Sequence, residues 1–253
     1  MNAHPVPRVE VHESADELAT AVAGAFLRLL TVRQAAGAAP GVGLTGGTIA
    51  DQIHREIARL APGSDVDWGR ISFYWGDERF VAPDSDERNA KQARAAFLDV
   101  LGVDPARVHE IPSTADADSV EAAATAYSDT VRSEATGALD LLMLGVGPDG
   151  HIASLFPDRP EILITDRVAV AVRDSPKPPP ERVTLTRPVI NGSRRVWLVL
   201  AGTDKAAALG LALAGASYAS VPAAGAKGRR RTIFFVDDAA ASQVPPELID
   251  QEY

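Results

Sequence analysis

The chain of 253 residues contains no cysteine. That absence excludes disulfides, thiolate nucleophiles and cysteine zinc sites together, and it fits a reducing compartment. A secretory signal is missing too: Met1 to Glu13 holds Arg8 and Glu10 and has no apolar stretch behind a basic start. A cytoplasmic location is the expectation. Ala206 to Ala226 carries no charged residue, but its Ala and Gly content, with Ser217, Ser220 and Pro222, gives a weak transfer energy. It reads as a buried helix followed by a small-residue loop, and no membrane partner is expected.

Positive charge is in deficit, since 34 Asp and Glu against 25 Lys and Arg leave a formal net charge of -9. Nucleic acids and anionic membranes require a cationic footprint. Neither is an expected partner, and the basic run Lys227 to Arg231 reads as a solvated loop before a strand. An anionic small molecule is compatible with this balance wherever a few cations converge. With 46% hydrophobic and 23% charged residues the chain has the means to bury a core. Its length suits one α/β domain over residues 1–253. The sequence sets no oligomeric state, and a monomer is the default.

Three times a strand pattern runs into glycine and polar residues. Val42 to Leu44 leads to Thr45-Gly46-Gly47-Thr48 and a helix ending near Leu60. Ile71 to Trp75 leads to Gly76-Asp77-Glu78-Arg79, with a helix from about Asn89. Leu139 to Leu144 leads to Gly145-Val146-Gly147-Pro148-Asp149-Gly150-His151. Around these, Val9 to Val11 starts a strand, and Ser14-Ala15-Asp16-Glu17 is a capping box ahead of Leu18, Val22, Phe26, Leu29 and Leu30. Asp118 to Glu134 is an alanine-rich helix. Val168 to Val172 reads as a strand, Asp174 to Glu181 as a proline-rich loop, and Arg182 to Leu185 as a return to the sheet. Val196 to Leu200 is a strand before Gly202-Thr203-Asp204-Lys205 and a helix, and Thr232 to Val236 is the last strand. The alternation predicts an α/β fold with a doubly wound, mainly parallel sheet flanked by helices. Such sheets bind ligands outside the carboxyl ends of their strands, where all these polar clusters fall.

Thr45 to Thr48 places glycines at a helix start, where backbone amides and the helix dipole favour an anion such as phosphate. The plain alternative is a tight turn capped by Thr48. Gly145-x-Gly147-x-x-Gly150 spells the dinucleotide fingerprint, but it lies mid-chain, contains Pro148 and is followed by His151 where a cofactor helix belongs. Asp149-Gly150-His151 instead pairs an acid with the side chain best suited to general-base work near neutrality. His4, His12, His54 and His109 have no such surroundings and read as surface or helix residues. No second histidine or carboxylate stands at ligand spacing, so no metal is expected. Asp77 and Arg79 offer an acid and a guanidinium at one strand end. Arg182 and Lys205 are candidate phosphate or oxyanion clamps.

Taken together, these segments resemble the 6-phosphogluconolactonase family, which shares a Rossmann-type fold with glucosamine-6-phosphate deaminases. The likeness rests on Thr45 to Thr48, Trp75 to Arg79, Gly145 to Phe156, the loop into Arg182-Val183-Thr184-Leu185-Thr186, and Gly202 to Ala206. Phe156 is apolar where the deaminases carry an acid. Thr45-Gly46-Gly47-Thr48-Ile49-Ala50 departs from the family's usual Ser-Gly-Gly-Ser-Thr-Pro. The resemblance implies hydrolysis of 6-phosphogluconolactone in the oxidative pentose phosphate pathway, on a small sugar-phosphate substrate and with no cofactor. It implies that Thr45, Gly46, Gly47 and Thr48 hold the phosphate with Lys205 and Arg182, and that His151 activates water. Asp149 supports the imidazole and Arg79 stabilises developing negative charge. The rival readings are a deaminase or isomerase of the same fold, with Asp77 moving the proton, and a non-catalytic sugar-phosphate sensor.

Overall fold

The computed structural model describes residues 5–135 and 138–249. β1 (Arg8–His12) leads into α1 (Ala15–Ala35). The Ser14 hydroxyl accepts the Glu17 N–H at 3.2 Å, satisfying one of the donors that a helix start leaves without a partner. Leu18, Val22, Phe26 and Leu30 make the buried stripe of that helix. There follow β2 (Gly41–Leu44), α2 (Thr48–Leu60), β3 (Ser72–Trp75), β4 (Asp77–Arg79) and α3 (Asn89–Ala93), whose end widens into a π turn, Arg94–Leu98. Next come α4 (Val120–Glu134), β5 (Leu141–Gly145), β6 (Ala169–Val172), β7 (Arg182–Leu185) and α5 (Arg187–Gly192). The chain finishes with β8 (Arg195–Leu200), α6 (Ala206–Leu213), β9 (Arg231–Asp237), α7 (Asp238–Ala241) and α8 (Pro246–Ile249).

Six strands form a parallel sheet in the order β1-β9-β8-β5-β2-β3. From β2 the chain moves outward to β3, then returns to β5 on the other side of β2 and continues to β8 and β9. The connections leaving β2 and β5 therefore diverge, and this switch point opens a crevice at the carboxyl ends of the two strands. Apolar residues such as Val42, Leu44, Leu142, Leu144, Leu198 and Val236 are at most 1% exposed along these strands. Strands buried on both faces read as continuous apolar runs for this reason.

Val168 to Val172 does contain a strand, but the expectation that Arg182 to Leu185 returns to the main sheet is corrected. β6 and β7 pair antiparallel with each other, and β7 pairs antiparallel with β4, in a separate sheet ordered β4-β7-β6. Only residues 173–181 link β6 to β7, too few for the crossover of a dozen or more residues that parallel pairing requires. Gly76 joins the two sheets: its N–H donates to Leu44 O at 2.9 Å and its carbonyl accepts the Leu185 N–H at 2.8 Å. Asp77, Arg79 and Arg182 are thereby hung over the carboxyl end of the main sheet. Of the uncharged stretch from Ala206 to Ala226, only the part to Leu213 is α-helix. Among the described residues no helix is long and apolar enough to cross a membrane. Lys227, Arg229, Arg230 and Arg231 are exposed where β9 begins.

Candidate active site

A cleft of about 510 Å³ opens at the switch point, within the usual size range for small-molecule sites. Thr45, Gly46, Gly47, Thr48, Asp77, Arg79, His151, Arg182 and Lys205 all line it. Asp149 reaches it through His151. Residues from five strand ends and both sheets thus meet in one place.

After β5 the chain turns back on itself. The Gly147 N–H donates to His151 O at 2.9 Å, the Gly150 N–H to Gly147 O at 2.9 Å, and Val146 bridges Ile152. No helix follows, so the three glycines do not make a dinucleotide turn. A Cβ on Gly147 would collide with the His151 ring and with Asp149 Oδ1, which means that this glycine is the seat on which the pair rests. His151 Nδ1 lies 2.5 Å from Asp149 Oδ1. Burial pushes the Asp149 carboxyl up, but the hydrogen bond and charge of His151, with Lys177 beyond, bring it down to about 2. An ionised carboxylate only accepts, so Nδ1 is the nitrogen that donates its proton to Asp149, and Nε2 is the nitrogen left over. Phe156 packs under the imidazole, with ring centroids 4.6 Å apart.

The turn after β2 is built for close approach. A Cβ on Gly46 would collide with the Asn89 amide. Gly47 caps α2 with no side-chain bond, so Thr48 is the first helical residue and not the cap. The Thr45 hydroxyl accepts the Gly145 N–H at 3.2 Å, tying this turn to the end of β5. Glu78 is 1% exposed, and its carboxylate accepts the N–H groups of Arg79, Asn89 and Ala90 at 2.8 Å each. Burial raises its pKa against the pull of Arg88. Glu78 is therefore a strut, which fixes Arg79 and the start of α3. Asn89 completes it, accepting from Arg79 Nη1 at 2.8 Å and donating to Asp77 O at 3.1 Å. Asp77 is buried, and its Oδ2 accepts the Ser154 hydroxyl at 2.6 Å.

Arg182 is buried on β7 and donates from Nε to Pro179 O and from Nη2 to Lys177 O and Pro178 O. Burial lowers its pKa, with Asp77 opposing and Arg79 adding to the effect. Lys205 follows Asp204, to which its ammonium is paired at 2.9 Å. Lys177, from the proline-rich loop, lines the cleft beside them.

Of the other histidines, read as surface or helix residues, His54 does lie on a helix, though a buried one. His54, on α2, is 2% exposed. His12 and His109 are partly buried and stacked on Phe235 and Tyr74, and His12 lies on a strand. His4 lies outside the described residues. Among the described residues no three His, Asp or Glu side chains gather as a ligand set for a metal.

The family model for glucosamine-6-phosphate isomerases and 6-phosphogluconolactonases matches residues 13–235. The 6-phosphogluconolactonase of Streptomyces coelicolor is 41% identical, over 96% of both chains. That of Mycobacterium leprae is 44% identical over 89% of this chain and 95% of its own. The crystal structure of 6-phosphogluconolactonase from Thermotoga maritima superposes with a TM-score of 0.81 at 26% identity, covering 91% of this chain and 99% of that one. The chain belongs to this family.

Phe156 lies between two of these site residues. It is 1% exposed between His151 and Arg182, whose guanidinium lies 5.9 Å from its ring centre. Two residues that line this cleft, Lys177 and Asn89, and the strut behind it, Glu78, were not read from the sequence as site residues. Lys177 had a signal, a lone cation among prolines in a loop that faces a site. Asn89 and Glu78 had none, since their roles depend on α3 folding back over β4.

Proposed function

We propose that the protein hydrolyses 6-phospho-D-glucono-1,5-lactone to 6-phospho-D-gluconate. The observation that carries this reading is the ionised Asp149 holding His151 Nδ1, with Nε2 free in a cleft lined by Arg79, Arg182, Lys205 and Lys177. Nε2 takes a proton from a water that attacks the lactone carbonyl carbon. The carbonyl oxygen gains the negative charge, and collapse breaks the bond to the ring oxygen, which takes the proton back from Nε2. Water is consumed, the ring oxygen becomes a hydroxyl and the carbonyl carbon becomes a carboxyl group that ionises, so the step balances without a covalent enzyme intermediate. A positioned base contributes about 10²- to 10⁴-fold, and fixed donors at the oxyanion contribute most where charge develops.

Thr45 to Thr48 and the first amides of α2 receive the phosphate, with Lys205 and Arg182, while Arg79 faces the developing charge. Asp77 lies on the cleft wall with one oxygen held by Ser154. An isomerase or deaminase would use it as the base, but an apolar Phe156 packed on His151 favours lactone chemistry. Residues 1–253 act as one domain, as a cytoplasmic monomer on a small-molecule substrate. The test is the rate of 6-phosphogluconate formation from freshly made lactone, against the spontaneous rate and without added metal. Acceleration supports the reading. Ammonia released from glucosamine 6-phosphate, with no acceleration, replaces it with the deaminase.

A further inference from the structure

The loop between β6 and β7 carries prolines at 178, 179 and 180, none of which has an N–H to offer the carbonyls around it. Arg182 supplies the missing donors. Its Nε and Nη2 hold the carbonyls of Lys177, Pro178 and Pro179 at 2.9–3.2 Å. The Ser175 N–H closes the loop on Pro180 O at 3.0 Å. The main chain at residue 177 is therefore fixed, and its side chain is delivered to the cleft wall. The Lys177 ammonium lies 4.0 Å from Asp149 Oδ1, the same oxygen that holds His151 Nδ1. The charged groups facing it are Asp149, Lys205, Arg182 and Asp204. Burial pushes the ammonium down, Asp149 and Asp204 push it up, and Lys205 and Arg182 add to the lowering. Three cations from three separate elements converge here, and a dianion placed among them relieves their mutual repulsion.

We propose that Lys177 is a specificity-determining residue, completing with Lys205 and Arg182 the subsite that takes the phosphate dianion of the substrate. The inference rests on the lactonase reading and deepens it. Arg182 plays two parts, as positioning residue for the loop and as a member of the subsite. When the dianion arrives, the Lys177 ammonium turns to the phosphate oxygens and leaves Asp149 wholly to His151. Phosphate recognition thus draws on the proline-rich loop as well as on the turn after β2, both of which line the cleft.

The test compares K177M and K177R with the native chain on 6-phosphogluconolactone and on unphosphorylated glucono-1,5-lactone, with melting temperatures as the folding control. The preference for the phosphorylated lactone, as a ratio of kcat/KM values, should fall by about 10- to 10²-fold in K177M, the span of one charge-assisted contact. KM should carry most of the change, and K177R should recover most of it. A loop that merely needs Lys177 for its shape would lower both substrates together, and an unchanged ratio would overturn the proposal. Calorimetric binding of 6-phosphogluconate gives a readout that needs no turnover. Weaker binding in K177M by a similar factor supports the subsite even if the native chain fails to accelerate lactone hydrolysis. Equal binding by both chains, or none by the native chain, rejects it.

Discussion

Two histidines in this fold have nearly the same aromatic neighbour and opposite surroundings otherwise. His54 on α2 tilts at 32° against Phe97 with centroids 4.9 Å apart, and His151 tilts at 35° against Phe156 at 4.6 Å. Packing on a ring therefore does not make a base. His54 is fully enclosed, its Nε2 has no hydrogen-bond partner, and burial brings its pKa down to about 4 despite the opposing charge of Asp51. His151 has a carboxylate on one nitrogen and a cleft at the other. The difference teaches that an imidazole becomes chemically useful here through one charged partner and one open side, and becomes a core side chain when both are withheld.

The comparison breaks most severely at His151 itself. H151A should lose about 10²- to 10⁴-fold in lactone turnover with a melting temperature near that of the native chain, read by coupled assay and thermal melt. Native-like turnover would remove the base assignment. Asp149 sharpens the contrast further. An amide in D149N can donate to Nδ1 and so leave the proton on Nε2, the wrong tautomer for a base. D149N should fall close to H151A, while D149A retains more activity; the reverse order would show that a side chain filling this position matters more than the tautomer.

At His54 the effect is on stability. Between about pH 4 and 6.5 the unfolded chain binds a proton at this site that the folded chain does not. Stability from this group is complete above about pH 6.5 and is lost as the pH falls towards 4, by about 3 kcal/mol at most. H54L should flatten that loss in denaturant titrations run across the window. An unchanged slope would mean that His54 finds water on protonation. The smallest effect is expected at the shared feature. F156L removes the ring under His151 and should lower kcat by only a few-fold, about 1 kcal/mol, measured with saturating lactone.

Much of this arrangement is legible in the sequence because parallel strands announce themselves. Val42 to Leu44 and Leu141 to Leu144 are apolar on both faces, and the polar residues after them must sit at the carboxyl ends. That logic gathers Thr45 to Thr48, Arg79, His151 and Lys205 before any coordinates are known. It fails for β6 and β7, since alternation says nothing of direction, although the short span 173–181 already excluded a parallel return. It fails again for Glu78, which looks like a solvated acid beside Asp77 and is in fact enclosed by three backbone N–H groups, one from its own strand and two from α3. Contacts made across residues 78 to 90 leave no periodic trace.

Gly76 has a consequence for how the cleft fluctuates. Its two main-chain bonds make the antiparallel sheet an extension of the parallel ladder, so Arg79 and Arg182 are not carried on a free-swinging flap. Their elements open only when the core opens, and the amide hydrogen of Leu185 should exchange with solvent as slowly as those of β2 and β5. Catalytic geometry on this wall is thereby given the lifetime of the fold itself, and the proline-rich loop shares in it through the three carbonyls that Arg182 holds.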